Sequence, residues 1–177
     1  GCYHGGQGPF PEIPACRTPN LDRFAQDCVI FHNAYPEGLP TMPVRMALMT
    51  GQQTLPFRGW EPLRESDRTI APLLAGSGYV CGLVSDCYHY RAPGMNYHRG
   101  FAHFDWVRGQ ILDAYGVPCL ANRIDLTGYV PSWFKNDWYA STLPLYLANT
   151  AGWKAEDDHY APKVFSKAAR WLEDCRE

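Results

Sequence analysis

Between Thr69 and Ser85 the chain changes its hydrophobic period within a few residues, and this change restricts the fold more than any other feature. Thr69 is a helix-capping residue type, Leu73 and Leu74 would face inward from a helix over residues 70–77, and Gly78 stands where a helix takes a left-handed stop. "YVCGLVS" then runs apolar without alternation, as a strand covered on both faces does. Upstream, Thr18-Pro19 opens a predicted helix over residues 19–26, with Leu21, Phe24 and Ala25 on one side. "CVIFHNAY" has the β-branched and aromatic content of a short strand over residues 28–33. Strand, helix and strand in alternation predict an α/β fold, a mixed sheet flanked by helices. The chain should close on an amphipathic helix, because Tyr160, Val164, Phe165, Ala168, Trp171, Leu172 and Cys175 recur at helical spacing. Such a sheet wants a buried strand before its first helix and another after its last. Both are expected outside residues 1–177, so the fold is expected to be incomplete.

The remaining segments are less regular. Residues 1–17 are crowded with Gly and Pro and read as an irregular loop, and residues 86–158 are aromatic, proline-punctuated and aperiodic, with short elements only.

With 177 residues, 46% of them hydrophobic, the chain has enough material for one domain with a core and too little for two. Sixteen basic and 18 acidic residues leave a net charge of −2, so no global field draws nucleic acid or an anionic membrane. No stretch approaches the roughly 20 apolar residues of a membrane span. Seven cysteines, an odd number without a C-x-x-C pair, suit neither a disulfide scaffold nor a zinc ribbon. Reduced thiols are expected, with Cys28 and Cys81 buried on strands, and they favour a cytoplasmic setting.

"YPEGLPTMPVRMALMTG" places a hydroxyl, Thr41, at the head of a short predicted helix over residues 42–49 and an arginine, Arg45, one turn later. Thr41 has two readings. It is an N-cap candidate whose oxygen satisfies free amides of the first turn; equally, those amides and the Arg45 fork form an anion site. As a nucleophile the hydroxyl needs a base, a cation or a metal to activate it.

"TPNLDRFAQDCVIFHNAY" followed by "TMPVRMALMTG" resembles the sulfatase family of the alkaline phosphatase superfamily, whose members carry T-P-N-L-D-x-L-A, F-x-N-A-Y and C-x-P-x-R-x-x-L-x-T-G in this order. "LLAGSGYVCGLVSDCYHY" resembles the family's leucine-rich helix, G-Y-x-T strand and G-K-W-H turn, and "HRGFAHFDWVRGQ" stands at its G-F-D segment. The likeness covers roughly residues 1–110, and the terminal helix. It implies an alkaline-phosphatase-like α/β domain of which residues 1–177 are an interior part, and hydrolysis of a small sulfate or phosphate ester. By the same likeness Thr41 would be nucleophile and metal ligand, Arg45 would steady the developing alkoxide, and His89 would contact the transferring group or protonate the leaving oxygen. The resemblance implies a divalent metal in the full-length protein, calcium or magnesium first and manganese or zinc next. Its carboxylate ligands would lie outside these residues, so this chain alone is expected to bind none and to be inactive.

The departures from the family pattern matter as much. The position of Thr41 is a cysteine or serine in most members, oxidised to an aldehyde that threonine cannot form, and Cys87 stands at the lysine of the G-K-W-H turn. A threonine alkoxide attacking phosphorus is one outcome. The alternative is a non-catalytic sulfatase-like protein that binds an anion or ligand at Thr41 and Arg45.

Three further clusters each admit a functional and a plain structural reading. His98-Arg99 is a second cationic pair that could contact a substrate anion, or a packing histidine in an aromatic loop. "EDDHY" reads as acidic residues placed ahead of a helix rather than as metal ligands. Trp133, Trp138 and Tyr139 read as core more than as a sugar platform. No G-x-S-x-G elbow marks a serine esterase.

Overall fold

A computed structural model of the chain describes residues 17–116, 121, 123–130, 133 and 137–176. The irregular loop expected over residues 1–17 therefore lies almost wholly outside them. Residues 1–36 and 37–177 form separate compact units. In the first, helix α1 spans Pro19–Ala25 with Pro at its first turn, and the Thr18 hydroxyl donates to the Asp22 carboxylate at 2.9 Å instead of capping amides. Beyond it residues 28–33 form no strand. β propensity needs a neighbouring strand to pack and pair with, and here Val29, Phe31 and Cys28 are exposed. The burial expected for Cys28 is thus overturned.

The second unit holds the remaining elements. Helix α2 spans Thr41–Thr50 and stops at Gly51, whose φ of 66° is the left-handed cap that glycine adopts without strain. Its residues Met42 and Met46 are fully buried against Leu63, Cys87, Tyr90 and Tyr97, which together make the core. Tyr90 and Tyr97 stack at 5.1 Å, and the Tyr97 hydroxyl donates to the Met42 carbonyl at 3.3 Å. Burial raises the Tyr97 phenol to about 12.

Helix α3 covers Ile70–Ala75, shorter than expected. Only Ala71 is buried on it; Leu73 and Leu74, predicted to face inward, are 50% and 37% exposed. Strand β1 (Gly82–Ser85) follows and pairs in parallel with β2 (His103–Trp106), Gly82 opposite His103 and Ser85 opposite Trp106. Among the described residues the sheet has these two parallel strands, which makes it part of an α/β fold; the expected mixed sheet is not seen. Cys81 sits half-buried just before β1.

Helix α4 runs Asp137–Thr150 through an internal Pro144, a length that the proline-punctuated sequence did not foretell. Helix α5 spans Tyr160–Asp174 where the amphipathic pattern placed it. It lies on the sheet. The Trp171 ring stacks on His103 at 5.6 Å, and Lys167 pairs with Asp105 at 2.6 Å. A Cβ on Gly82 would come within 2.9 Å of the Trp171 ring, so only glycine lets the indole sit there. Phe165 and Leu172 of the same apolar stripe are 75% and 55% exposed. Cys28, Cys81, Cys87 and Cys175 are free thiols; Cys2, Cys16 and Cys119 lie outside the described residues.

Candidate active site

The carboxyl ends of parallel strands are where α/β folds collect ligand-binding loops. Here the chain leaving β1 passes through Asp86 and Cys87 into a 3₁₀ turn, Tyr88–Tyr90, that carries His89. The chain leaving β2 forms a loop fastened from several sides. Asp113 takes both Nε and Nη2 of Arg108 at 2.7 Å and the Gly109 amide at 2.7 Å. Asn149 of α4 donates to the Gly109 and Asp113 carbonyls and accepts the Gly116 amide, while the Tyr160 hydroxyl donates to the Gly109 carbonyl at 2.6 Å. Gln110 links this loop to the first by donating to Asp86 at 2.9 Å.

Helix α2 brings Thr41 and Arg45 to this unit. The turn before it is clamped by Glu37, whose carboxylate accepts the Thr54 and Leu55 amides at 2.7 and 3.0 Å and the Thr54 hydroxyl at 2.6 Å. These bonds, the Thr54 hydroxyl first, hold Glu37 below the usual glutamate value. Thr41 is the first residue of α2, after Pro40 at the N-cap, so the N-cap reading of Thr41 is corrected by one position. Its side chain is exposed and makes no hydrogen bond among the described residues.

Arg45, one turn on, is half-buried with its guanidinium 4.9 Å from the centroid of the Tyr90 ring. Burial opposes its charge, but the Tyr90 phenol and the nearby Cys87 and Asp86 more than offset this and keep it cationic. His89 stands edge-on to Trp60 at 5.0 Å and to Tyr88 at 5.7 Å. Burial first, then the charges of Arg45 and Arg91, push its imidazole below 6.5, so it is neutral at neutral pH. Arg45 and His89 are therefore electrostatic neighbours. Burial raises the Tyr90 phenol, with Arg45 opposing.

His98 and Arg99 sit apart in role. The His98 ring packs on Phe104 at 5.6 Å with a buried Nδ1 that has no partner, and Arg99 donates to the backbone carbonyls of Arg64 and Asp67 at 2.9 and 2.7 Å. "EDDHY" forms a 3₁₀ turn, Glu156–Asp158, in which Asp158 accepts the Lys154 and Ala155 amides, a local backbone role. Trp138 is half exposed, and Trp133 more so; the Tyr139 side chain lies outside the described residues. Trp60 and Tyr90 were not singled out from sequence. The alternation in "CYHY" was the available signal for Tyr90, whereas the aperiodic coil around Trp60 offered none.

A divalent metal on Thr41 needs convergent carboxylates or imidazoles. Among the described residues no three His, Cys, Asp or Glu side chains converge, so those present do not fit a metal.

The class these loops belong to is that of the sulfatase-like hydrolases. A family model described as Sulfatase matches residues 11–122, more than half of the chain and the whole stretch from Thr41 to Arg99. The chain belongs to the sulfatase family. No curated protein and no solved structure matches it significantly.

Proposed function

We propose that this chain carries the oxyanion-facing part of a sulfatase-like site acting on small sulfuric or phosphoric esters, within an alkaline-phosphatase-like sheet to which β1 and β2 contribute. One observation carries the reading: Arg45 keeps its charge while half-buried, one helical turn from the Thr41 hydroxyl and beside a neutral His89. A guanidinium so placed offers paired N–H donors to two oxygens of a sulfate or phosphate group. Thr41 attacks the sulfur or phosphorus; the new bond to its Oγ1 forms as the ester bond breaks, and the electron pair leaves on the alcohol oxygen. The proton released by Thr41 and the proton gained by the leaving oxygen require a titratable group, and among those near Arg45 we assign His89, whose neutral imidazole can take up a proton near neutral pH.

A second reading has its own observation. The Thr41 hydroxyl is exposed and without a hydrogen-bonded base among the described residues, which favours a protein that binds an anion without turning it over. Turnover of an aryl sulfate and an aryl phosphate diester by a chain extended at both ends, with calcium, magnesium, manganese or zinc added, separates the two. The hydrolase reading expects Thr41→Ala to lose turnover at least a hundredfold while sulfate still binds. Turnover unchanged in Thr41→Ala defeats it. Arg45-dependent sulfate binding with no turnover by the chain extended at both ends establishes the binding reading instead.

A further inference from the structure

The observations carry furthest at a different cavity, between α3, the turn ending at Gly100 and the coil leading into α3. It measures about 550 Å³, within the range of small-molecule sites. Pro72 and Leu73 form its apolar side, and Glu65, Arg68, Thr69 and Arg99 its polar side. Gly100 makes the close approach possible: at φ 86° it lies against Pro72, where a Cβ would meet the ring at 2.5 Å. Arg99 is thereby held over α3, with two of its donors on the carbonyls of Arg64 and Asp67.

Three features point to a ligand. Thr69 is 3% exposed and its hydroxyl has no hydrogen-bond partner among the described residues, an arrangement that destabilises the fold unless something else supplies the bond. Thr69 is the N-cap residue of α3, but its hydroxyl makes no cap hydrogen bond, so the helix does not satisfy it. Next, the charges do not cancel. The Asp67 carboxylate, which also lines the cavity, is used up by Arg58 and the Arg64 amide, leaving the Arg68 and Arg99 guanidiniums against the one free carboxylate of Glu65. Finally, Glu65 can accept only from a donor, so the occupant should carry hydroxyl or similar groups besides its anionic one.

We infer that this cavity binds a small hydroxylated oxyanion, its anionic group held by Arg68, Arg99 and the Thr69 hydroxyl, at a site separate from Arg45. Neither Thr41 nor Arg45 lines it, so it stands independently of the hydrolase reading. Calorimetric titration of the whole chain with glycerol 3-phosphate tests it, with glycerol as the uncharged control. Two binding events are expected in the parent protein. Arg68→Ala, at an exposed residue whose side chain holds no hydrogen bond or ion pair among the described residues, should remove one event and leave the other. Arg45→Ala should remove the other. Thr69→Val should raise the dissociation constant of the first event about fivefold, and Thr69→Ser should restore it. The inference is overturned if Arg68→Ala leaves both events in place, or if glycerol binds as well as its phosphate. Absence of the Arg45-dependent event from the parent protein, with the Arg68-dependent event present, counts only against the reading of the candidate active site.

Discussion

Residues 28–31 and the pair Met42 and Met46 are both apolar, yet the first stretch lies open and the second sits in the core of its own unit. Val29 and Phe31 are 81% and 78% exposed, whereas Met42 and Met46 are wholly buried. The difference lies in partners. Met42 and Met46 are met by Leu63, Cys87, Tyr90 and Tyr97, which arrive from well-separated stretches of sequence. Residues 28–33 have a strand-like composition and no ladder to join among the described residues. Apolar content proposes burial; converging neighbours decide it.

The largest expected effect tests the buried side of this contrast. Met46→Ala should cost about 2–5 kcal/mol in urea unfolding, the usual range for truncating a packed methionine. A loss under 1 kcal/mol would mean that the core around α2 is loosely filled. Next, Asn149→Ala would strip the loop after β2 of one donor to two carbonyls and one acceptor, at a cost of about 1–3 kcal/mol. Unchanged hydrogen-exchange protection at the Gly116 amide would count against that anchoring.

A third effect is set by pH. His89 is neutral because its pKa is depressed, and a bound anion beside it would restore the proton. Sulfate affinity should therefore rise as pH falls through and below about 6.5, by at most about tenfold per unit. His89→Gln should flatten that profile, and a flat profile in the parent protein would place His89 away from the anion. The carboxylates behave in the opposite sense. Asp67 and Asp113 are held below the usual aspartate value despite burial, by Arg58 and Arg108 above all. Their contribution to stability is thus present above about pH 4 and lost as the solution is acidified below it. The smallest effect tests the exposed side: Phe31→Ser should change stability by less than about 0.5 kcal/mol. A clear loss would show that this stretch has a partner after all.

Much of this was legible in the sequence where local chemistry and tertiary packing agree. The turn at Gly51 and the amphipathic α5 followed from residue spacing and stop signals, and the head of α2 to within one residue; of the apolar run read as a strand covered on both faces only Gly82–Ser85 pairs, and Tyr79 and Val80 are exposed. Within the candidate site, the position of Arg45 followed from one turn of helix, but its contact with Tyr90 and the edge of Trp60 on His89 are long-range events with no periodic signal. Helix α4 was hidden by Pro144, because surrounding structure here sustains a helix that local rules would break. Leu73 and Leu74 were misjudged for a related reason: a helix of six residues has too short a face for periodicity to fix which side is covered.

The glycine under Trp171 makes the spacing of two layers depend on a single hydrogen atom. Flexible side chains would let α5 settle at a range of heights above the sheet, but the indole rests on bare backbone, so the height is a discrete quantity written at position 82. A methyl group there would lift Trp171, and with it the stacking on His103 and the pull of Lys167 on Asp105. Both are on β2, the strand whose carboxyl end carries Arg108 and the fastened loop. The thickness of the molecule at one end of β1 is thereby coupled to the alignment of side chains at the other, and position 82 acts as a calibration point for a site it does not touch.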